Sequence, residues 1–326
     1  MRFSVIIAAL LGFALAAWLI DAVGLHSVVS ATFAVGWGGF VALCASGAVL
    51  FAVLGAAWFA LAPQQEKPLF ANFVWARAVR ECSGELLPFS QLGGIVIGAR
   101  ALRLRGIDGS LAFASSIVDV TVEMVAQIVF VLAGLVLLLT AARHEANAAL
   151  TRSVAVGVVA AIIVATVFFL LQQKAVAAMA HWSGRWFPSA GPWLGKLRES
   201  LAEIHASPAR LAISLLVHLG GWTGTALWAW FAVYLIGHRV SFPFIFTIEA
   251  VLSAIRTAAI LIPGAIGVQE ASYALIGPLL GLAAPAAIAL SLLKRARDVA
   301  LGVPLLLVWQ FAEGRHAWKG GGGSVR

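Results

Sequence analysis

The stretch from Ile255 to Leu282 is apolar enough to lie in a bilayer, but it cannot cross the bilayer as one plain helix. Pro263-Gly264 interrupts it, and Arg256 and Glu270 lie on either side of the interruption. Proline removes a backbone donor and glycine loosens a helix, so the freed carbonyl groups need protein or water beside them rather than lipid. Charged side chains at membrane depth are costly and usually face a cavity. The stretch therefore predicts a broken segment beside a hydrated cavity.

The composition of the whole chain places this segment in a membrane protein. Of the 326 residues, 62% are hydrophobic and 11% are charged, a balance that excludes a water-soluble domain of this size. The formal net charge is +8, but Lys and Arg are spread between apolar runs instead of forming a basic domain. This spread argues against nucleic acid as a partner and is typical of residues that orient membrane spans.

Several apolar runs are long enough to cross a membrane as helices. A loop without Lys or Arg joins the first run to the second, whereas residues 67–105 are basic and are therefore expected in the cytoplasm with both termini. Residues 172–210 are expected along the cytoplasmic interface, and residues 320–326 form a flexible tail or an expression-vector remnant after a single transmembrane domain of residues 1–319. The six predicted runs are residues 3–23, 39–61, 110–140, 154–171, 211–236 and 282–309.

A second broken segment lies in the basic region, at residues 68–100. It is too polar for a simple span and too apolar for a solvated loop. A re-entrant hairpin that breaks at Pro88 and returns through Gly93 and Gly94 fits both properties, and an amphipathic helix on the membrane surface is the alternative. Its charged side chains are Arg77, Arg80, Glu81 and Glu85.

The two broken segments belong to an internal repeat. A shift of 175 residues lays Pro88 on Pro263 and Asp119 on Lys294. Chance matches of Ala, Leu and Gly are the alternative explanation. Three crossings lie between the starts of the two units, residues 39–140 and 211–312, and an odd number of crossings inverts the second unit. Inverted repeats with broken helices are a recurring plan of secondary transporters.

The predicted fold is thus an all-α polytopic membrane protein. It has about six full transmembrane helices and two broken re-entrant hairpins in an inverted repeat, or eight spans if the hairpins cross. The break or hinge residues are expected to be Pro88, Gly93, Gly94, Pro263, Gly264 and Gly267.

Two groups of charged residues are candidates for the functional site. Their mixed signs predict mutual pairing around a hydrated cavity, although such pairs can also serve only to hold helices together. His218 is expected to be a hydrogen-bonded core histidine rather than a ligand. The hairpin group, expected to bind substrate, is Arg77, Arg80, Glu81, Glu85, Glu249, Arg256 and Glu270. The span group, in which the first two residues are expected to face the other four, is Asp119, Glu123, Lys294, Arg295, Arg297 and Asp298.

Nothing in the sequence predicts an enzyme. There is no G-x-S-x-G motif, no phosphate-cradling glycine loop and no set of residues at metal-ligand spacing. We therefore expect no cofactor, no metal and no catalytic residues.

The residues from Pro263 to Glu270, P-G-A-I-G-V-Q-E, resemble the P-G-G-x-G-x-x-E signature of the lysylphosphatidylglycerol synthase transmembrane-region family. Residues 80–100 look like the other block of that family, and the resemblance spans nearly the whole chain. Ala265 replaces a usual glycine, Gln269 stands where a basic residue is common, and Asp119 is not followed by the usual arginine. The chain is most similar to stand-alone members associated with hopanoid biosynthesis. The resemblance implies lipid translocation in a bacterial inner membrane.

The leading hypothesis is a protein that moves an amphipathic lipid, either a hopanoid or a phospholipid. Hairpin arginines would hold an anionic or hydroxylated headgroup, Glu270 would hold a cationic or hydroxyl group, and the acidic span could relay protons. A membrane scaffold for lipid-modifying enzymes is the alternative, and an intramembrane enzyme ranks last. A homodimer and lipid-biosynthesis enzymes are the candidate protein partners.

Overall fold

The computed structural model describes residues 25–63, 70–87, 90–142, 159, 191–259 and 262–321. Over these ranges the protein is helical and contains no strand. A 3-10 turn at Pro263–Ala265 lies between the eighth and ninth helices. The helices are α1 (Leu25–Phe33), α2 (Gly36–Ala60), α3 (Phe70–Leu86), α4 (Ser90–Arg103), α5 (Gly109–Ala142), α6 (Gly191–His205), α7 (Pro208–Ile236), α8 (Phe242–Ala258), α9 (Val268–Leu279) and α10 (Ala284–Gly321).

Three helices of the described part are long and apolar enough to cross a membrane: Gly36–Ala60, Gly109–Thr140 and Pro208–Ile236. They confirm the second, third and fifth predicted runs. All but the first two residues of the sixth run lie within α10, whose 38 residues extend about 57 Å at 1.5 Å per residue. The described residues do not include the first run, the fourth run except residue 159, residues 172–190 or Pro88.

The loop predicted between the first two runs is wrong for residues 25–33, which form α1. This segment, L-H-S-V-V-S-A-T-F, contains no glycine, proline or charged residue, and in the structure it packs on α10. Gly36, with φ +64°, marks the bend between α1 and α2. The absence of Lys and Arg therefore does not indicate an irregular backbone.

Two helical hairpins define the centre of the fold. The first hairpin is α3 with α4, and the second hairpin is α8 with the 3-10 turn and α9. Close packing in the first hairpin depends on Gly94, because a Cβ atom there would lie 2.9 Å from the Arg80 carbonyl oxygen. A glycine at this position lets the two helix backbones approach each other.

The hairpins begin at opposite ends of α5 and meet at their tips. Near the start of α5, Trp58 donates a hydrogen bond to Ser115 at 3.0 Å and packs edge-on against Phe73 at the base of the first hairpin. Farther along α5, the ring of Phe130 lies 4.6 Å from that of Phe246 at the base of the second hairpin. The tips contact each other where the second hairpin is broken, at the 3-10 turn.

Asp108 caps the start of α5, outside the apolar span. Its Oδ1 accepts hydrogen bonds from the backbone N–H groups of Ser110 at 2.8 Å and Leu111 at 3.3 Å, which are otherwise unpaired donors of the first helical turn. The hydrogen bond from the Ser110 hydroxyl is the main cause that lowers the pKa of Asp108 below its ordinary value. The carboxylate therefore stabilises the folded state at neutral pH, and this contribution is lost as the pH falls through the lowered pKa.

Asp108→Ala is expected to reduce the stability of the protein by about 1 kcal/mol, the usual loss when a helix cap is removed. Asp108→Asn is the matched control, because an asparagine oxygen can accept the same hydrogen bonds. Thermal unfolding in detergent at neutral pH measures both changes. Equal losses in the two variants would contradict the capping role.

Candidate functional site

A cavity of about 260 Å³ lies between α2, α3, α5, α7, α8 and α10, beside the tips of the two hairpins. Its wall has an apolar part and a charged part. Apolar side chains in the wall include Leu50, Phe51, Leu54, Met124 and Trp222. The cations in the wall are Arg80, Arg256, Lys294 and Arg297. The carboxylates in the wall are Glu81, Glu85, Glu123, Glu249 and Asp298.

The first cluster joins α3 to α5 and α7 beside this cavity. Arg77 donates hydrogen bonds to Asp119 at 2.8 Å and to Glu123 at 2.5 Å. Arg80 donates to the same two carboxylates, at 2.6 Å and 2.5 Å. We define the first cluster as Arg77, Arg80, Glu81, Asp119, Glu123 and His218.

Helical spacing explains the shape of the first cluster. Arg77 and Arg80 lie about one turn apart on α3, and Asp119 and Glu123 lie one turn apart on α5, so each guanidinium group reaches both carboxylates. Arg77, Asp119 and His218 are 0% exposed. His218 Nε2 lies 3.0 Å from Asp119 Oδ1. Charge-assisted hydrogen bonds of this kind are strong, and they compensate for the removal of the charges from water.

The second cluster joins α8, α9 and α10. Lys294 Nζ donates to Glu249 Oε2 at 2.5 Å, and the Tyr273 hydroxyl donates to the other oxygen of the same carboxylate. All three side chains are buried. The second cluster is Glu249, Tyr273 and Lys294, and two of its members, Glu249 and Lys294, line the cavity.

A third group of polar contacts, the tip bridge, links the two hairpins. Arg256 of the second hairpin donates to Glu85 of the first hairpin and to Gln269 at 3.1 Å. Arg295 of α10 donates to Glu270 at 3.1 Å. The tip bridge is Glu85, Arg256, Gln269, Glu270, Ser291 and Arg295. It holds the two tips together at the boundary of the cavity.

Arg297 and Asp298 form a further pair in the cavity wall. Arg297 Nη2 donates to Asp298 Oδ1 at 2.6 Å, and the guanidinium carbon lies 4.3 Å from the ring centroid of Trp228. The stacked indole gives the arginine an apolar and weakly attractive support. Arg297 is thereby positioned with its charge towards the cavity.

The structure brings most of the predicted substrate residues to the cavity, but not all. Arg77 and Glu270 lie behind its wall, because Arg77 is enclosed in the first cluster and Glu270 accepts the backbone N–H of Gly267 at 2.8 Å and so caps α9. Of the predicted hinge residues, Gly264 lines the cavity at the break. The predicted substrate residues that do line it are Arg80, Glu81, Glu85, Glu249 and Arg256.

The predicted pairing within the span group is wrong. Asp119 and Glu123 pair with arginines of the first hairpin, and Lys294 pairs with Glu249 of the second hairpin. Among the described residues, no ion pair joins α5 to α10. Each span instead pairs with the hairpin next to it in the chain, since the short connections between them keep those helices adjacent.

Sequence reasoning missed two polar residues of the site. Tyr273 and Ser291 were not singled out as site residues, because single hydroxyl groups in apolar helices carry no motif. His218 is hydrogen-bonded at Nε2 as expected, but its Nδ1 atom is buried without a hydrogen-bond partner. Ser291 could have been found from its position on α10, because it lies one helical turn before the charged residues Lys294 and Arg295.

The comparisons with known proteins identify the family of the chain. The sequence profile of the family described as lysylphosphatidylglycerol synthase TM region matches residues 5–305. The chain belongs to this family. Membership confirms the resemblance found in the signature from Pro263 to Glu270 and ties the protein to membrane lipid modification or transport. No curated protein and no solved structure matched the chain.

The departures from the family signature have structural consequences. Ala265, where the family usually has glycine, has φ +48°, a conformation that is strained for a residue with a Cβ atom. Gln269, where a basic residue is common, accepts from Arg256 and donates to Ser291 at 2.9 Å. A second cation at this position would face Arg256, so the amide suits this member of the family.

Proposed function

We propose that this member of the lysylphosphatidylglycerol synthase TM region family moves an amphipathic lipid across the bacterial inner membrane, without covalent chemistry. The single observation that carries the proposal is the cavity wall, which contains both charged and apolar side chains. A lipid headgroup needs polar partners and its tail needs an apolar path, and one cavity supplies both. The substrate class is a hopanoid or a phospholipid.

The order of helices supports an inverted repeat as the basis of the movement. A long helix, two short helices and another long helix follow each other in α2–α5 and again in α7–α10. Helices α3 and α8 each contain 17 residues. Arg77 pairs with Asp119, and Glu249 pairs with Lys294. The 175-residue shift lays Asp119 on Lys294 and places Arg77 about one helical turn from Glu249, with the signs exchanged. Two related units that rock about a shared site are a common plan for transport.

The lengths of the hairpin helices support re-entry rather than crossing. Helices α3, α4, α8 and α9 have 17, 14, 17 and 12 residues. At 1.5 Å per residue they reach roughly 18–26 Å, less than the ~30 Å hydrocarbon core. In this proposal six spans enclose two hairpins that enter from opposite sides, and both termini lie in the cytoplasm.

A fluorescence or labelling assay in liposomes tests the proposal. Val120→Trp puts a bulky ring into the cavity wall, whereas Val125→Trp adds the same ring to the outer face of the same helix, where Val125 is 42% exposed. We expect Val120→Trp to slow lipid movement by about tenfold or more, equivalent to about 1.4 kcal/mol in the barrier, and Val125→Trp to leave it unchanged. The readout is the reaction of aminophospholipid amines with a membrane-impermeant reagent.

The assay also discriminates transport from the scaffold alternative. Equal rates in the two tryptophan variants would place the lipid path outside the cavity. The folded wild-type protein could also fail to move lipid faster than protein-free liposomes do, both with and without a pH gradient or a membrane potential. That result would favour a scaffold for lipid-modifying enzymes.

A further inference from the structure

The numbers of cations and carboxylates are equal in some of the ionic clusters around the cavity and unequal in the first cluster. The second cluster, the tip bridge and the Arg297–Asp298 pair together contain four cations and four carboxylates. The first cluster contains two arginines and three carboxylates, with His218 as the sixth member. With a neutral imidazole, the first cluster therefore carries one excess negative charge.

An uncompensated charge in a buried cluster is costly. The usual response of a protein is to neutralise the group by proton binding or to pair it with a cation. Salt in water cannot screen the excess effectively, because buried pairs are much less screened than surface pairs. The first cluster therefore favours the uptake of one positive charge.

Glu81 is the member of the first cluster that is best placed to exchange this charge. It lines the cavity, its side chain is 32% exposed, and its ion partner is Arg77 at 2.8 Å. Asp119 and Glu123 each accept from both arginines and are 0% and 19% exposed at their side chains. Glu81 is thus less compensated and more accessible than the other two carboxylates.

The surroundings of Glu81 contain charges of both signs on several helices. Arg77, Arg80 and Glu85 lie on its own helix, and Glu123 approaches from α5. From α8 and α10, the groups that share the cavity wall are Glu249, Arg256, Lys294, Arg297 and Asp298. The latter groups are paired among themselves or with Glu85, so they leave the excess charge of the first cluster in place.

An unsatisfied polar atom is a second and independent sign that the first cluster is incomplete. His218 Nδ1 is buried without a hydrogen-bond partner on a side chain that is 0% exposed, and in a neutral imidazole whose Nε2–H faces Asp119 this atom is a hydrogen-bond acceptor. Buried polar groups are nearly always satisfied, and exceptions point to a functional state or an absent partner. The cluster thus retains hydrogen-bonding capacity next to the cavity.

We propose that the first cluster is an exchangeable cation site, which holds a proton on Glu81 when the cavity is empty and the ammonium group of a lipid headgroup when it is loaded. This proposal rests on the proposed lipid movement and adds two things to it, the place where the ammonium group binds and the proton for which it is exchanged. On loading, the proton leaves Glu81 for cavity water and the ammonium group pairs with the freed carboxylate. The charge of the cluster is the same in both states, so one proton moves against each lipid amine.

Proton release in detergent tests the exchange without any transport. Addition of dodecylammonium to the intact protein in a weakly buffered dye solution is expected to release about one proton per bound cation, as linkage requires. Glu81→Gln removes the excess charge and is expected to abolish the release. Glu199→Gln, at an exposed position of α6, is the matched control and is expected to release protons like the wild type.

The same variants in liposomes extend the test to movement. With the wild type, reversal of an imposed pH gradient is expected to change the initial rate of amine movement several-fold, and with Glu81→Gln the rate is expected not to respond. If the wild type moves lipid at a rate that does not depend on the pH gradient, the proposed proton exchange is wrong, whereas the proposed lipid movement still holds. Proton release that persists in Glu81→Gln would also overturn it, whether or not lipid moves.

Discussion

Lys294→Met is expected to lower the stability of the folded protein by about 3–5 kcal/mol, the usual cost when one partner of a buried ion pair is removed. Lys294 is 4% exposed and donates to Glu249 at 2.5 Å. Without the ammonium group, Glu249 would be a buried carboxylate supported only by the Tyr273 hydroxyl. A fall in the unfolding midpoint on the order of 10 °C in detergent would follow.

The double variant Glu249→Gln with Lys294→Met is the decisive comparison for this expectation. It removes both charges, while the glutamine oxygen can still accept a hydrogen bond from Tyr273. Replacement of both partners of a buried ion pair often costs little stability. We expect the double variant to be more stable than Lys294→Met alone. A double variant that loses at least as much as the single one would show that the charge of Glu249 is not what the lysine compensates.

The spans of the protein were predictable because length and composition determine them. Residues 39–61, 110–140 and 211–236 are continuous apolar runs, and a membrane core demands such runs of any helix that crosses it. The helix at residues 25–33 was not predictable in this way, since a short uncharged segment forms a helix or a loop according to what it packs against. Here it packs on α10.

The pairing of charges was not predictable from alignment of the two units. The shift that lays Asp119 on Lys294 suggested that the two residues face each other. Positions that a shift aligns need not contact each other, however, and here each pairs with a residue of its own part of the chain, Asp119 with Arg77 and Lys294 with Glu249. Sequence reasoning identified charged residues of the apolar spans but assigned Asp119, Glu123 and Lys294 to the wrong partners.

The tip of the second hairpin was the part of the site that the sequence marked most strongly. A proline-glycine break next to charged residues signals a backbone that must be supported by protein. What the pattern could not give is the neighbour of the break, which is the backbone carbonyl of Glu85 in the first hairpin. That contact spans 179 residues of sequence, and no local pattern encodes such a distance.

Gly264→Ala is therefore expected to impair lipid movement strongly while the helices remain folded. Gly264 has φ +55°, and an added Cβ atom would lie 2.7 Å from the Glu85 carbonyl oxygen and 3.3 Å from Arg295 Nη1. The left-handed backbone alone costs an L residue about 1–2 kcal/mol. The clash in addition involves backbone, so the two hairpin tips must separate. We expect the initial rate of amine movement in liposomes to fall by roughly tenfold, about 1.4 kcal/mol.

Gly281→Ala separates backbone strain from tip separation. Gly281 has φ +88°, but an added Cβ atom there has nothing within 4 Å, so this variant carries the left-handed strain without displacing a neighbour. Both variants are expected to unfold at lower temperature than the wild type, and only Gly264→Ala is expected to slow lipid movement by this much. If Gly281→Ala slowed movement equally, the loss would come from reduced stability. Because Gly264 is the point at which the second hairpin touches the first, a selective loss would mean that the tip contact controls the lipid path.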